Sequence, residues 1–260
     1  MSAVAARRPV SVAELQRAYR GVLSGHYRTP APGAERAIWT SAAPVLPVIG
    51  ACAGTGASTL ALAVATAAGR AWLVECSSPT TSRLTAAATE ELGREGEWAR
   101  GARGPVTLLR PATPVHTLSE VQVPPDVVAD GLCVLDVGWD VSAVVAGDCW
   151  LTDVLARPGV VVVVAPATVP GARRLDAVLR VLDHAAVTVA LVGSRRPAPA
   201  VRTLLETTLR GHEVAAANIV NVAQDSRLAE RGVDSRPLPP ALVRAAQAIV
   251  GATRQARGAA

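Results

Sequence analysis

Residues 45–60 read Val-Leu-Pro-Val-Ile-Gly-Ala-Cys-Ala-Gly-Thr-Gly-Ala-Ser-Thr-Leu. A short apolar run, Val45–Ile49, has the length and composition of a buried strand; Gly50–Gly56 is a small-residue turn; and from Ser58 onward Leu60, Leu62 and Val64 lie among alanines in a helical pattern. A tight, side-chain-poor turn between a strand and a helix aims backbone N–H groups at whatever sits on the helix N-terminus, so the stretch is shaped to cradle a phosphate. Gly54 and Gly56 supply backbone freedom, and Ser58 and Thr59 supply hydroxyls. No cationic side chain occurs anywhere in the stretch.

The general phosphate-loop pattern is G-x-x-x-x-G-K-[ST], in which the Lys reaches the β/γ oxygens and the hydroxyl binds Mg²⁺. Gly56 and Ser58 fit it, Ala51 stands where the first Gly belongs, and Ala57 stands where the Lys belongs. The stretch and the order of elements over residues 45–250 resemble the MinD/ParA family of P-loop ATPases, whose deviant loop reads K-G-G-x-G-K-T. In that alignment Cys52 takes the family's signature Lys, Ala53 its first Gly and Ala57 its second Lys, while Gly54, Thr55 and Gly56 match. Ser58 takes the Mg²⁺ hydroxyl and Thr59 the Thr that follows. The resemblance implies a nucleotide site built from Gly54, Thr55, Gly56, Ala57, Ser58, Thr59 and Asp136, with Ser58 and Asp136 on the metal side if Mg–nucleotide binds. With both lysines replaced, it implies weakly bound ATP/Mg²⁺ or no cofactor at all.

Composition bears on those replacements. The 260-residue chain contains no Lys and no Phe, so all 26 basic residues are Arg, a bias that points to a high-GC bacterial genome. Codon bias alone would have put Arg at 52 or 57. Half the residues are hydrophobic and 18% are charged, enough for one large core plus a short extension. The charge of +5 and pI near 9.7 permit an acidic or nucleic-acid partner but follow equally from the Arg-only composition. Cys52, Cys76, Cys133 and Cys149 form no C-x-x-C pair, which argues against a zinc site or a disulfide framework and for a reducing compartment. No apolar run reaches the roughly 18 residues of a membrane span, so the expected location is cytoplasmic.

The expected organisation is an N-terminal extension (1–27) with one amphipathic helix, a Pro-rich linker (28–44), the α/β domain (45–250) and a flexible tail (251–260). In the extension, Ser11 and Glu14 form a capping box, and Val12, Leu15, Tyr19 and Val22 recur as one apolar stripe, making helix 11–23 a candidate docking element. Within the domain, strands are expected at 71–76, 105–110, 132–136, 159–165, 186–193 and 218–222, and helices at 81–100, 149–156, 171–184, 201–210 and 239–250. The five valines after Gly159 form the clearest central parallel strand. This alternation is that of a doubly wound, mostly parallel α/β sheet flanked by helices.

Leu132–Asp136 has the shape of a strand that ends in a Mg²⁺-holding carboxylate, and Asp136-Val137-Gly138 resembles the family's second switch. Glu75 and Ser77 stand where the family has an Asp-x-Asp pair; Ser77 reads as a residue capping the next turn. Gly193-Ser194 stands where the family carries an adenine-binding Asn. The loop Gln224–Leu228 resembles the family's loop after its last strand, and the terminal helix lacks the basic cluster of a membrane-reaching helix.

Three functions compete. The first is a catalytically impaired MinD/ParA-like pseudo-NTPase acting as an interaction or positioning scaffold for a secretion, conjugation, pilus or partition assembly, through a protein partner and possible homodimers. The second is an active ATPase whose cation comes from Arg70, Arg83 or a second subunit. The third is a Rossmann-like NAD(P)-binding protein, with Gly54–Thr59 as a G-x-G-x-x-G variant and Glu75 on the ribose. Nucleic-acid contact through Arg173-Arg174 and Arg195-Arg196 has no aromatic platform beside it.

Overall fold

The computed structural model describes residues 38–258 except 79–83, 126, 128, 129, 158, 184 and 195, together with residues 12, 15 and 19. The chain divides into two units, Met1–Glu35 and Arg36–Ala260. In the first, Val12, Leu15 and Tyr19 are helical with exposed side chains; the Ser11–Glu14 capping box lies outside the described residues.

The second unit runs β1 (Val45–Gly50), α1 (Ala57–Ala68), β2 (Ala71–Cys76), β3 (Glu90–Glu95), β4 (Trp98–Arg103), β5 (Val106–Pro111), β6 (Leu132–Val137), α2 (Val141–Ala146), α3 (Trp150–Ala156), β7 (Val160–Pro166), α4 (Val169–Val181), β8 (Ala186–Gly193), α5 (Pro199–Gly211), β9 (Ile219–Ala223), α6 (Ser226–Arg231) and α7 (Pro240–Gly258). The strands form one sheet in the order β3-β4-β5-β2-β6-β1-β7-β8-β9. All pairings from β5 through β9 are parallel; β3/β4 and β4/β5 are antiparallel. The doubly wound, mostly parallel sheet expected from the sequence is therefore present.

Parallel strands covered on both faces must be apolar on both, and Val160–Val164 is, feeding alternate valines to opposite cores. One core lies under α1 and α7, where Leu60, Leu62 and Val64 meet Ala246 and Ile249. The other lies under α2–α5 and contains Ile49, Leu135, Leu151, Leu175 and Leu205. Trp39 closes the second core edge-to-face on Trp150, ring centroids 5.0 Å apart, and its carbonyl accepts from Arg157 Nη1 at 3.2 Å. Trp39 and Ala43, assigned to the linker from their proline-rich surroundings, are thus buried in the domain.

Two further expectations are corrected. Residues 81–100 read as a polar helix, but 90–103 is a β-hairpin. Glu95 pairs with Trp98 across a two-residue turn in which Gly96 holds φ 56°, and a bulge falls at Leu92 before Gly93 at φ 91°. Positive φ at both glycines is incompatible with a helix. All of β3 is exposed, so it carries no apolar alternation, and β4 turns Arg103 inward to donate to the carbonyls of Ala87 (2.8 Å), Asp234 (2.7 Å) and Arg236. The terminal helix, expected to stop at Val250 before a flexible tail, continues through Gly258 because Ala252 and Thr253 are buried.

Candidate functional site

The phosphate-loop candidate sits where β1 ends. Ala51 N donates to Val164 O at 2.8 Å, which pins the start of the loop to β7. Gly54 and Gly56 take φ 76° and 84°, the left-handed conformation that turns successive N–H groups inward. Gly56 is the N-cap of α1 and accepts from Leu60 N at 2.9 Å; no side chain caps the helix, which starts at Ala57, one residue before the expected Ser58. The N–H groups of the first turn are therefore free of side-chain acceptors at the positive end of the helix dipole. Sequence reasoning placed Gly50 in the turn without giving it a role; it ends β1. A Cβ there would lie 2.7 Å from Thr55 Oγ1 and 3.0 Å from Cys52 O, so the loop folds over Gly50 and Thr55 is buried within it.

Asp136 is brought beside this loop by the strand order. β6 lies between β1 and β2, with Asp136 level with Val48 on one side and Glu75 on the other. Asp136 is fully buried, and neither carboxylate oxygen has a partner of hydrogen-bonding geometry. Burial pushes its pKa up from 3.8 to about 7; the nearby Ser58 hydroxyl opposes the rise and Glu75 adds to it. Glu75 is buried as well, and its Oε1 accepts from Leu84 N at 3.2 Å. Ser77, read as a turn cap, is instead buried with an unpartnered hydroxyl, and Gly138 N donates to Cys76 O at 3.0 Å, which brings the second-switch segment against the end of β2. The indole N–H of Trp139 is unpartnered too. Of the seven buried side-chain polar atoms without partners among the described residues, four belong to Ser77, Asp136 and Trp139, so unspent hydrogen-bonding capacity gathers here.

The expected Mg²⁺–nucleotide is met in part. The glycine turn, the uncapped first turn of α1, the Ser58 hydroxyl and the orphaned Asp136 carboxylate suit phosphate and cation respectively. Charge neutralisation is not met, because Cys52 and Ala57 are half-buried and uncharged. Arg70 does not replace them: it follows the far end of α1, about 18 Å along the helix axis from the loop, and pairs with Asp130. Arg83 lies outside the described residues. Where the resemblance puts the family's adenine-binding Asn, Ser194 Oγ is spent on the backbone of Arg196 at 3.2 Å, and Gly193 O accepts from Gln224 N at 3.4 Å. Of the arginine pairs, Arg173 and Arg174 are exposed on α4; Arg196 is exposed, and Arg195 lies outside the described residues.

The same topology overturns the dinucleotide reading. A Rossmann unit places the strand after the first helix next to β1, whereas here β6 intervenes. Glu75 is also buried rather than presented to a ribose.

Among the described residues no helix is long and apolar enough to cross a membrane, and no cluster of His, Cys, Asp and Glu could hold a metal. No protein-family model matches the chain, and no curated protein does. Solved structures do. A plasmid partition protein from Borrelia burgdorferi bound to AMPPNP superposes with TM-score 0.51 at 11% identity, over 84% of this chain and all of that one. MinD cell division protein of Aquifex aeolicus gives 0.45 at 16% identity, over 83% and 97% of the two chains, and a ParA family ATPase of Chlorobium tepidum gives 0.45 at 13%, over 83% and 94%. The chain has the fold of the first, a mostly parallel nine-stranded sheet flanked by helices.

Proposed function

We propose that this domain is a catalytically impaired MinD/ParA-like pseudo-NTPase that serves as an interaction or positioning scaffold for a bacterial, cytoplasmic assembly of the secretion, conjugation, pilus or partition kind. One observation carries the reading: the loop keeps its backbone cradle and buried acid, yet has no cation at either lysine position. The N–H groups of residues 57–59 would face phosphate oxygens, and Ser58 and Asp136 the metal. Bound Mg²⁺ would supply charge neutralisation on that side only. Losing one member of a desolvated charge pair costs roughly 3–5 kcal/mol, which turns a micromolar nucleotide site into about a millimolar one. Ser77 offers a hydroxyl where hydrolysis would need a carboxylate. The exposed helical positions Val12, Leu15 and Tyr19 support a partner-docking role for helix 11–23, and a homodimer suits a scaffold that positions.

The test is ATP turnover by the purified chain beside a Ser58→Ala, Asp136→Ala double variant. Equal rates are expected. Mg²⁺-dependent turnover that the double variant loses would establish the alternative, a working ATPase with a cation brought by a second subunit.

A further inference from the structure

A cleft of about 450 Å³ lies away from the loop, between α4 and α5. None of its lining residues comes from β1, β2, β6 or α1. Arg173, Asp176 and Arg180 recur at i, i+3 and i+7 and so share one stripe of α4. Facing them, α5 contributes Leu204 and Gly211, and His212 follows at its C-cap. The space beside Gly211 is open: a Cβ added there would have no atom within 4 Å.

Among the described lining residues the only acid, Asp176, is already spent. Asp176 Oδ1 is 2.8 Å from His212 Nε2, and its Oδ2 accepts from Arg180 Nε at 3.1 Å. His212 first and Arg180 second hold that carboxyl below the usual carboxylate range, so it stays ionised and paired. Arg173 makes no ion pair with the described residues, and Arg180 keeps guanidinium donors turned to water, its side chain 70% exposed. Positive charge is thus left over along a groove with an apolar floor at Leu204.

We propose that this cleft docks an acidic segment of a protein partner, its carboxylates taken by Arg173 and Arg180 and an apolar side chain laid on Leu204 in the space beside Gly211. A lone small anion fits less well. The cleft is open, and a single exposed ion pair contributes little, whereas a chain adds two such pairs to an apolar contact and gains orientation from complementary charge. The site gives the scaffold a partner chemistry without depending on the state of the loop, so this test and the turnover test fail separately.

The experiment is fluorescence anisotropy of the full chain with a short fluorescein-labelled peptide of Asp, Glu and Leu at about 50 mM salt, low enough to keep screening weak. Saturable binding is expected. It should weaken at least about tenfold in an Arg173→Gln, Arg180→Gln double variant and equally in Gly211→Trp, which fills the cleft and leaves every charge in place. Arg227→Gln, which removes an exposed arginine from α6, should leave binding unchanged. Circular dichroism melts check that each variant is folded. The proposal is overturned by absent binding, by a Gly211→Trp variant that binds like the parent, by equal weakening in Arg227→Gln, or by inorganic phosphate displacing the peptide at low millimolar concentration, which would mark a small-anion site.

Discussion

Replacing Asp136 with Asn should abolish most of the pH dependence of this protein's stability between pH 5 and 8. The acid is fully buried, its oxygens lack partners, and its pKa is about 7 in the folded protein against 3.8 ordinarily. A rise of that size, at about 1.4 kcal/mol per pH unit, amounts to about 4 kcal/mol. The folded state holds the proton more tightly than the unfolded chain does. The contribution of Asp136 to stability is therefore greatest below about pH 4, falls as pH rises toward 7, and levels off once the folded acid ionises. From pH 5 to 8 the wild type should lose about 3 kcal/mol on this account. Asn cannot ionise. Its buried amide shifts absolute stability by roughly 1–3 kcal/mol, but by the same amount at every pH, so the difference in slope survives. Urea unfolding at pH 5, 6, 7 and 8, followed by tryptophan fluorescence, measures both slopes. Equal slopes in wild type and Asp136→Asn would refute the placement of a protonatable, desolvated acid between β1 and β2.

Three other outcomes are expected. Ala57→Lys should bind Mg²⁺–ATP at least about tenfold more tightly than the parent by calorimetry while Ala57→Leu does not, since the glycine turn and free first-turn N–H groups already stand in place. Gly171→Ala should lower stability by roughly 3 kcal/mol in urea titrations, because its Cβ would fall 2.0 Å from Pro166 O and force α4 off the end of β7; a neutral result would mean that this junction is looser than drawn. Deleting residues 1–27 should leave the melting temperature of the domain nearly unchanged, whereas a large drop would make helix 11–23 part of the core rather than a docking element.

The parallel core was legible because burial on both faces writes itself as unbroken apolar runs, as in Val160–Val164 and Leu132–Leu135. The loop was legible from Gly54 and Gly56, whose positive φ values are those a phosphate turn needs. The hairpin was not, since β3 buries nothing and Arg103 in β4 is held inside by three carbonyls, a pairing that single-strand periodicity does not encode. The short helices α2 and α6 escaped for a similar reason: each is only six residues, set by a cap at Asp140 or Asp225 rather than by an apolar stripe. Ser77 was misread because it lies just past the end of β2, where burial depends on what packs over the strand end and not on the residue itself.

The insertion of β6 between β1 and β2 also fixes a timetable. During synthesis β1, α1 and β2 leave the ribosome together, yet they cannot join edge to edge without occupying the place that belongs to a strand made much later. Until Val137 emerges, two apolar strands wait with unpaired edges, and pairing them directly would be a stable error that must be undone. Parallel, non-local pairing of this kind is slow and exposes edges to aggregation. Folding of this chain should therefore be governed by the arrival of the strand that carries Asp136, and truncations that end before it should yield insoluble protein rather than a smaller domain.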